Sequence, residues 1–209
     1  MEQKIAFFDF DKTLRGGDSM FDLLIWSLKR YPTKIIPSFF RLTLGSLKFI
    51  FSGFKNISVL KNSIFSVVRY LDSDDIEYFS KNILLKKKFY KNGLEEIDNC
   101  LNEGYKIFLV SASPEKYLKP LKDILKVDEI IGTIIDDKGN IIGNNCKSFE
   151  KVRRIDEILK ERNWKIDYEN SKGFSDSLSA DGPMLNLVKN RYLINSKKRV
   201  DGYNNLSWR

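Results

Sequence analysis

The sequence predicts an α/β protein: a Rossmann-like, parallel-sheet core interrupted after its first strand by an all-helical insert. Three observations carry that prediction. From about residue 91 onward, short apolar runs alternate with amphipathic stretches, the pattern of strand and crossover helix in a parallel sheet. One further run of the same kind, Ile5-Ala6-Phe7-Phe8, stands apart at the start of the chain and ends in two carboxylates, Asp9 and Asp11. Residues 14–90 read as helical throughout. The expected organisation is a discontinuous core, residues 1–13 and 91–209, with a helical cap over residues 14–90.

Composition bounds the chemistry. A chain of 209 residues can bury one good core and carry a small accessory domain. Its 42% hydrophobic and 13% aromatic content excludes disorder as a whole-chain description. There is no histidine, which removes Ser-His-Asp and Cys-His catalysis and histidine-bound zinc together. The two cysteines, Cys100 and Cys146, have no metal-binding spacing and read as inert thiols of a reducing compartment. The chain enters strand-like sequence at once, without a secretory signal, so a cytoplasmic location is expected. The net charge of +8 lies in one interval. Between Asp22 and Asp72 there is no acidic residue, only Lys29, Arg30, Lys34, Arg41, Lys48, Lys55, Lys61 and Arg69. Such a segment favours anionic partners.

In chain order, Ser19 to Arg30 has helical spacing, with Asp18 or Ser19 as N-cap and Tyr31-Pro32-Thr33 as the stop. Ile35 to Phe54 is an apolar helix with one narrow polar stripe, Ser38, Arg41, Lys48 and Ser52. Two central cations, an early Pro and the lack of a second span argue against a membrane crossing. Burial within a helical subdomain, a membrane-surface position and a dimer interface stay open for it. Ile57 to Leu71 and Asp74 to Lys87 read as two more helices, the latter capped around Ser73, with Lys86-Lys87-Lys88 a solvated helix end. Gly93 to Glu103 is helical and Gly104 its C-cap. Tyr105 to Val110 is a strand running into Ser111-Ala112-Ser113, and Pro114 opens a helix to Leu125. Glu129 to Ile135 and Ile141 to Gly143 suggest a hairpin or arm. Phe149 to Arg162 is an amphipathic helix, and Asn170 to Phe174 a strand before Ser175-Asp176-Ser177. A helix follows around Pro183 to Lys189, and Arg191 to Asn195 is the last clear strand.

In open parallel sheets, sites form where strands end. Here those ends carry Asp9 and Asp11, Ser111 and Asp176, with Lys151 at a helix start. Alone, the Asp pair could be an acidic strand end in water and Lys151 a solvated lysine. Together they suit phosphoryl transfer. One carboxylate can attack phosphorus, a second can move protons, and a hydroxyl and an ammonium can offset charge on oxygen. Asp9 and Asp176 could hold Mg²⁺.

The motif order resembles the haloacid dehalogenase-like phosphatases, in particular their phosphoserine phosphatase-like branch (subfamily IB). Asp9-Phe10-Asp11-Lys12-Thr13 looks like the first motif and Val110-Ser111-Ala112-Ser113-Pro114 the second. Lys151 resembles the third-motif lysine, and Ser175-Asp176-Ser177-Leu178-Ser179-Ala180-Asp181 the fourth motif. The helical insert resembles the C1-type cap of that branch. There is similarity to phosphatidylglycerophosphatase C in the first, second and fourth motifs. The resemblance implies Asp9 as nucleophile, Asp11 as general acid and base, and Lys151 as the cation beside the aspartyl-phosphate. It implies phosphate contacts from Thr13, Ser111 and the Ala112 backbone. Mg²⁺ would be held by Asp9, Asp176 and the backbone carbonyl of Asp11, with Asp181 orienting its waters or Lys151. Asp18 lies where phosphoserine phosphatases carry a substrate-reading Glu, and it could equally cap a helix. The expected substrate is a small phosphorylated molecule or a lipid phosphate, with the basic, apolar insert touching an anionic membrane peripherally. Phosphoserine hydrolysis proper is one alternative. A basic membrane- or nucleic-acid-binding protein on an inactive fold is the other, its nucleic-acid version opposed by how apolar the insert is.

Overall fold

The computed structural model describes residues 1–36, 44, 64–86 and 89–209. Its centre is a six-stranded sheet in the order β4-β3-β2-β6-β7-β8, and every pairing is parallel. The strands are β2 (Ile5–Phe8), β3 (Lys106–Pro114), β4 (Glu129–Thr133), β6 (Lys172–Ser175), β7 (Asn190–Ile194) and β8 (Asn204–Leu206). A separate two-stranded parallel pair joins β1 (Glu2–Gln3) to β5 (Lys165–Ile166).

All four residues of β2 are fully buried, as a strand covered on both faces requires. On one face Phe8 stacks on Phe174 at 4.5 Å between ring centres, and Phe174 on Tyr192 at 4.8 Å. Helix α3 (Lys91–Asn102) covers that side through Ile97 and Cys100. On the other face Phe7 meets Phe108 edge-on, and α5 (Phe149–Glu161) contributes Ile155 and Leu159. β2 is therefore the hub, flanked by β3 on one edge and β6 on the other. That is the switch point at which parallel sheets place ligands.

Between β2 and β3 the described elements are helical: α1 (Ser19–Arg30), a turn over 32–36, a 3₁₀ turn (Ser66–Tyr70), α2 (Ser73–Tyr78) and a π-helical turn (Phe79–Leu84). Entry and exit of this insert are paired. Arg15 bridges Phe89 in antiparallel fashion, and the Tyr90 N–H donates to the Leu14 carbonyl at 2.9 Å. Most of the apolar Ile35–Phe54 stretch, residues 57–63 of the expected Ile57–Leu71 helix, and Lys87 and Lys88 lie outside the described residues, and the described end of that second stretch tightens into the 3₁₀ turn Ser66–Tyr70. Among the described residues no helix is long and apolar enough to cross a membrane.

Several boundaries differ from expectation. The helix expected over Asp74–Lys87 is capped by Asp72, whose carboxylate accepts from the Asp75 N–H at 2.8 Å, and it is α-helical to Tyr78 and π-helical from there to Leu84. The expected 129–143 hairpin is mostly sheet. Glu129–Thr133 pairs in parallel with β3, leaving only a small arm where Ile135 bridges Ile141. The helix after Pro114 is cut to α4 (Glu115–Leu118) and one 3₁₀ turn, because Pro120 lacks the N–H that would continue it. The helix expected near Pro183 starts earlier, as α6 (Leu178–Leu185), where Ser177 accepts from the Ala180 N–H and caps it. The tail adds β8, which the sequence did not announce.

Candidate active site

Asp9 directly follows β2, and its N–H still donates to the Phe174 carbonyl at 3.0 Å, extending the ladder to β6. The chain then turns. The Phe10 carbonyl accepts from the N–H groups of Thr13, Leu14 and Arg15, and Lys12 takes a left-handed φ of 64°. This turn folds Thr13 back onto the strand end. Its hydroxyl donates to Asp9 Oδ2 at 2.9 Å and accepts from the Asp176 N–H at 2.9 Å.

Lys151, the third residue of α5, is 1% exposed. Its Nζ donates to Asp9 Oδ1 at 2.8 Å and to the Val110 carbonyl at 2.7 Å, and pairs with Asp181 Oδ1 at 2.6 Å. Two of its protons are donated in hydrogen bonds, and Asp181 answers its charge as an ion pair. Asp181, in the first turn of α6, takes the Ser175 hydroxyl on its other oxygen at 2.5 Å. Carboxylate oxygens of Asp9, Asp176 and Asp181 lie within 4.8 Å of one another. Three carboxylates against one lysine leave excess negative charge in a buried place, and the titration of the group reflects it. Burial, reinforced by Asp181 and Asp176 and opposed by Lys151, pushes the Asp9 carboxyl up to about 7. Burial and then Asp181 raise Asp176 as well. Burial works against the charge of Lys151, yet Asp9 and Asp181 outweigh it and hold the ammonium above its usual range.

The cleft above this group has a volume of about 380 Å³. Asp9, Asp11, Asp18, Ser111, Ala112, Asp176 and Asp181 all line it. Ser111 and Ala112 sit where β3 changes register against β4, between Val110 and Pro114. Ser111 Oγ accepts from the Ser113 N–H at 3.1 Å, and the Ala112 carbonyl takes the Thr133 hydroxyl at 2.8 Å. Asp18 caps α1, accepting from the Met20 N–H at 2.9 Å.

Asp9 and Asp11 lie beyond the strand, because β2 stops at Phe8. The Asp11 carboxylate lies outside the metal-competent group and points into a separate set of donors. It accepts from the Ser19 N–H at 2.7 Å, the Ser19 hydroxyl at 2.8 Å and the Ser113 hydroxyl at 2.6 Å. Arg15 Nη1 stands 3.3 Å away.

Comparison with known proteins agrees with this architecture. The family model for haloacid dehalogenase-like hydrolases matches residues 6–186. The chain belongs to that family. It is 28% identical over 171 residues to the Protein CicA of Caulobacter vibrioides, covering 76% of this chain and 73% of CicA. In fold it is similar to a protein of unknown function from Bordetella pertussis Tohama I, with a TM-score of 0.82, 17% identity and 99% of both chains covered. It is also similar to a phospho-aspartyl intermediate analogue of phosphoserine phosphatase, with a TM-score of 0.62, 19% identity, and 94% and 88% of the two chains covered.

For this haloacid dehalogenase-like hydrolase, the motifs give no site role to Arg15, Ser113, Tyr117 or Ser175, and offer Ser19 only as a helix cap. Tyr117 is fully buried with its hydroxyl 2.8 Å from Ser19 Oγ. Ser175 had a signal, since it directly precedes Asp176 in the fourth motif. Ser113 reaches Asp11, and Tyr117 reaches Ser19, across about a hundred positions that no local motif spans, while Arg15 and Ser19 lie close to Asp11 in sequence and are brought onto its carboxylate by the turn after β2.

Proposed function

We propose that the protein is a Mg²⁺-dependent phosphomonoester hydrolase working through a phosphoryl group carried on Asp9. The observation that carries this reading is the end of the central strand. There one carboxylate is gripped by Lys151 and Thr13 with its outer side open to a cleft, and two further carboxylates stand beside it.

The donor set fits a hard divalent cation. It is all oxygen, crowded, and short of positive charge, as Mg²⁺ sites that use carboxylates and substrate oxygens are. Asp9 and Asp176 would hold the ion, with Asp181 and the Asp11 backbone carbonyl nearby; when bound, it offsets charge on the phosphoryl oxygens.

The chain's own groups account for the rest. An Asp9 oxygen attacks phosphorus and the ester P–O bond breaks. Asp11 gives its proton to the departing alcohol oxygen. Water then attacks the same phosphorus, its proton passes to the Asp11 carboxylate, and the acyl-phosphate P–O bond breaks to restore Asp9. Ester and water thus become alcohol and phosphate. Lys151 offsets charge next to Asp9 throughout, while Ser111 and the Ala112 N–H bind non-transferred oxygens.

For the substrate, the basic excess between Asp22 and Asp72 supports a phosphate ester with an apolar or lipid-linked tail and contact with an anionic surface. Phosphoserine is the second reading. Asp18 lines the cleft, which favours it, but that carboxylate is also committed to capping α1. The test is turnover of 4-nitrophenyl phosphate with Mg²⁺ by wild type and Asp9→Asn, followed by phosphoserine and lysophosphatidic acid as competing substrates. Hydrolysis that vanishes in Asp9→Asn is expected, whereas equal activity in both proteins refutes the mechanism. Preference for phosphoserine, with no binding to anionic vesicles, removes the lipid version.

A further inference from the structure

Arg15 has no part in the reaction as described, yet it is the largest fully buried side chain in the described structure. A guanidinium is costly to bury unless its charge is met. Here two carboxylates meet it, each at a different terminal nitrogen. Nη1 faces Asp11 at 3.3 Å and Nη2 pairs closely with Asp22. Asp11 belongs to the turn after the central strand, and Asp22 to the first turn of α1, the opening helix of the insert. The arginine's own backbone bridges both Asp11 and Phe89, so it sits at the root through which the insert enters and leaves. Phe10 packs beneath it, its ring centre 5.8 Å from the guanidinium carbon.

The remaining contacts of Asp11 come from the same two sides. Ser19, at the start of α1, supplies a backbone and a hydroxyl donor, and Ser113, from the end of β3, supplies another hydroxyl. The carboxylate orientation is therefore fixed jointly by core and insert, and Arg15 touches an acid on each. A fork-shaped guanidinium suits that task, because it can serve two carboxylates in one plane where an ammonium acts as a point charge.

We propose that Arg15 is a positioning residue that aims the Asp11 carboxyl group for proton transfer and ties that aim to the insert through Asp22. This rests on the phosphatase reading above. It predicts a dependence on the leaving group that a purely architectural arginine would not produce. A nitrophenolate departs with little protonation, whereas an unsubstituted phenolate needs the proton from Asp11. A misaimed acid therefore harms the second reaction selectively.

The experiment measures kcat/KM, which covers the steps as far as departure of the alcohol and leaves out the water attack that Asp11 also serves, on 4-nitrophenyl phosphate and phenyl phosphate, with Mg²⁺, for wild type, Arg15→Met and Asp22→Asn, alongside thermal melts. General acid catalysis contributes about 10²–10⁴-fold, so Arg15→Met is expected to lose about 30-fold or more on phenyl phosphate and under about 5-fold on the nitrophenyl ester. Asp22→Asn should shift the ratio the same way by a smaller factor. It changes a carboxylate that is 20% exposed and so carries the test if Arg15→Met does not fold. An unchanged ratio of the two esters in a folded variant, whether both rates fall or neither does, overturns the assignment and leaves the phosphatase reading intact. A wild type that hydrolyses neither ester overturns both.

Discussion

Lys151→Met removes one charge from the centre of the site while keeping the length of the side chain. In the wild type the ammonium answers Asp9, Asp181 and the Val110 carbonyl, all from a position 1% exposed. Methionine leaves two buried carboxylates facing each other and a carbonyl without its donor. Breaking a buried ion pair from one side costs about 3–5 kcal/mol. For a chain of this size, about 2–4 °C of melting temperature per kcal/mol turns that into a fall of about 6–20 °C. The measurement is a circular-dichroism melt in EDTA, at a pH above the Asp9 transition so that protonation does not relieve the repulsion. Adding Mg²⁺ should then raise the melting temperature of the variant more than that of the wild type, since the cation replaces missing positive charge. At a hundred times its dissociation constant a ligand contributes about 2.7 kcal/mol. Hydrolysis should fall about 10²–10³-fold, the usual loss for one group facing developing charge. A variant that melts within about 2 °C of wild type in EDTA would refute the view that this lysine holds the carboxylates together.

Three other outcomes are expected. Chelation of metal should abolish turnover of 4-nitrophenyl phosphate and Mg²⁺ should restore it, read as initial rates; activity that survives exhaustive chelation contradicts the cation-holding role of Asp9 and Asp176. Glu115 is pushed up by burial but pulled down further by Lys119, the Gly132 N–H and Arg154, and its carboxyl lies below its ordinary 4.5. A depressed carboxyl stabilises the fold above the unfolded value and loses that effect as pH falls through the folded one. Glu115→Gln should therefore cost about 1.5–3 kcal/mol at neutral pH, with the gap to wild type closing below pH 4.5 in urea titrations. Gly132→Ala would put a Cβ 2.7 Å from the Glu115 backbone and from the Ser113 carbonyl. Overpacking of this kind costs about 1–3 kcal/mol, and because Ser113 holds Asp11 the hydrolysis rate should drop with the melting temperature.

The legible part of this protein was the part that chemistry writes locally. An apolar run ending in Asp9, a Ser after the next strand, and an Asp after a later one are each visible in a few residues, and the parallel sheet brings those ends together by topology alone. Asp181 shows where that legibility stops. The motif order leaves it orienting either the metal waters or Lys151, and the first turn of α6 sets its carboxylate against Lys151. Glu129–Thr133 misled because an apolar strand followed by Asp-Asp-Lys-Gly-Asn satisfies hairpin rules. Which neighbour a strand chooses is decided by the sheet it joins, here beside β3. Arg15 was invisible for the opposite reason. In sequence it is a lone basic residue next to two glycines, and only the folded chain shows that it is dry and doubly paired.

The pairing of Leu14 and Arg15 with Tyr90 and Phe89 closes the base of the helical excursion, and a seam above it rests on the core, where the Ser80 hydroxyl donates to the Tyr117 carbonyl and Phe79 meets Tyr117 edge-on. A guest seated this way is free to change only where it faces away from that seam. There it can be made stickier or plainer without disturbing the reacting groups, so selectivity can drift while the chemistry stays. Ser19 and Asp22 mark places where the graft must keep a promise to the host.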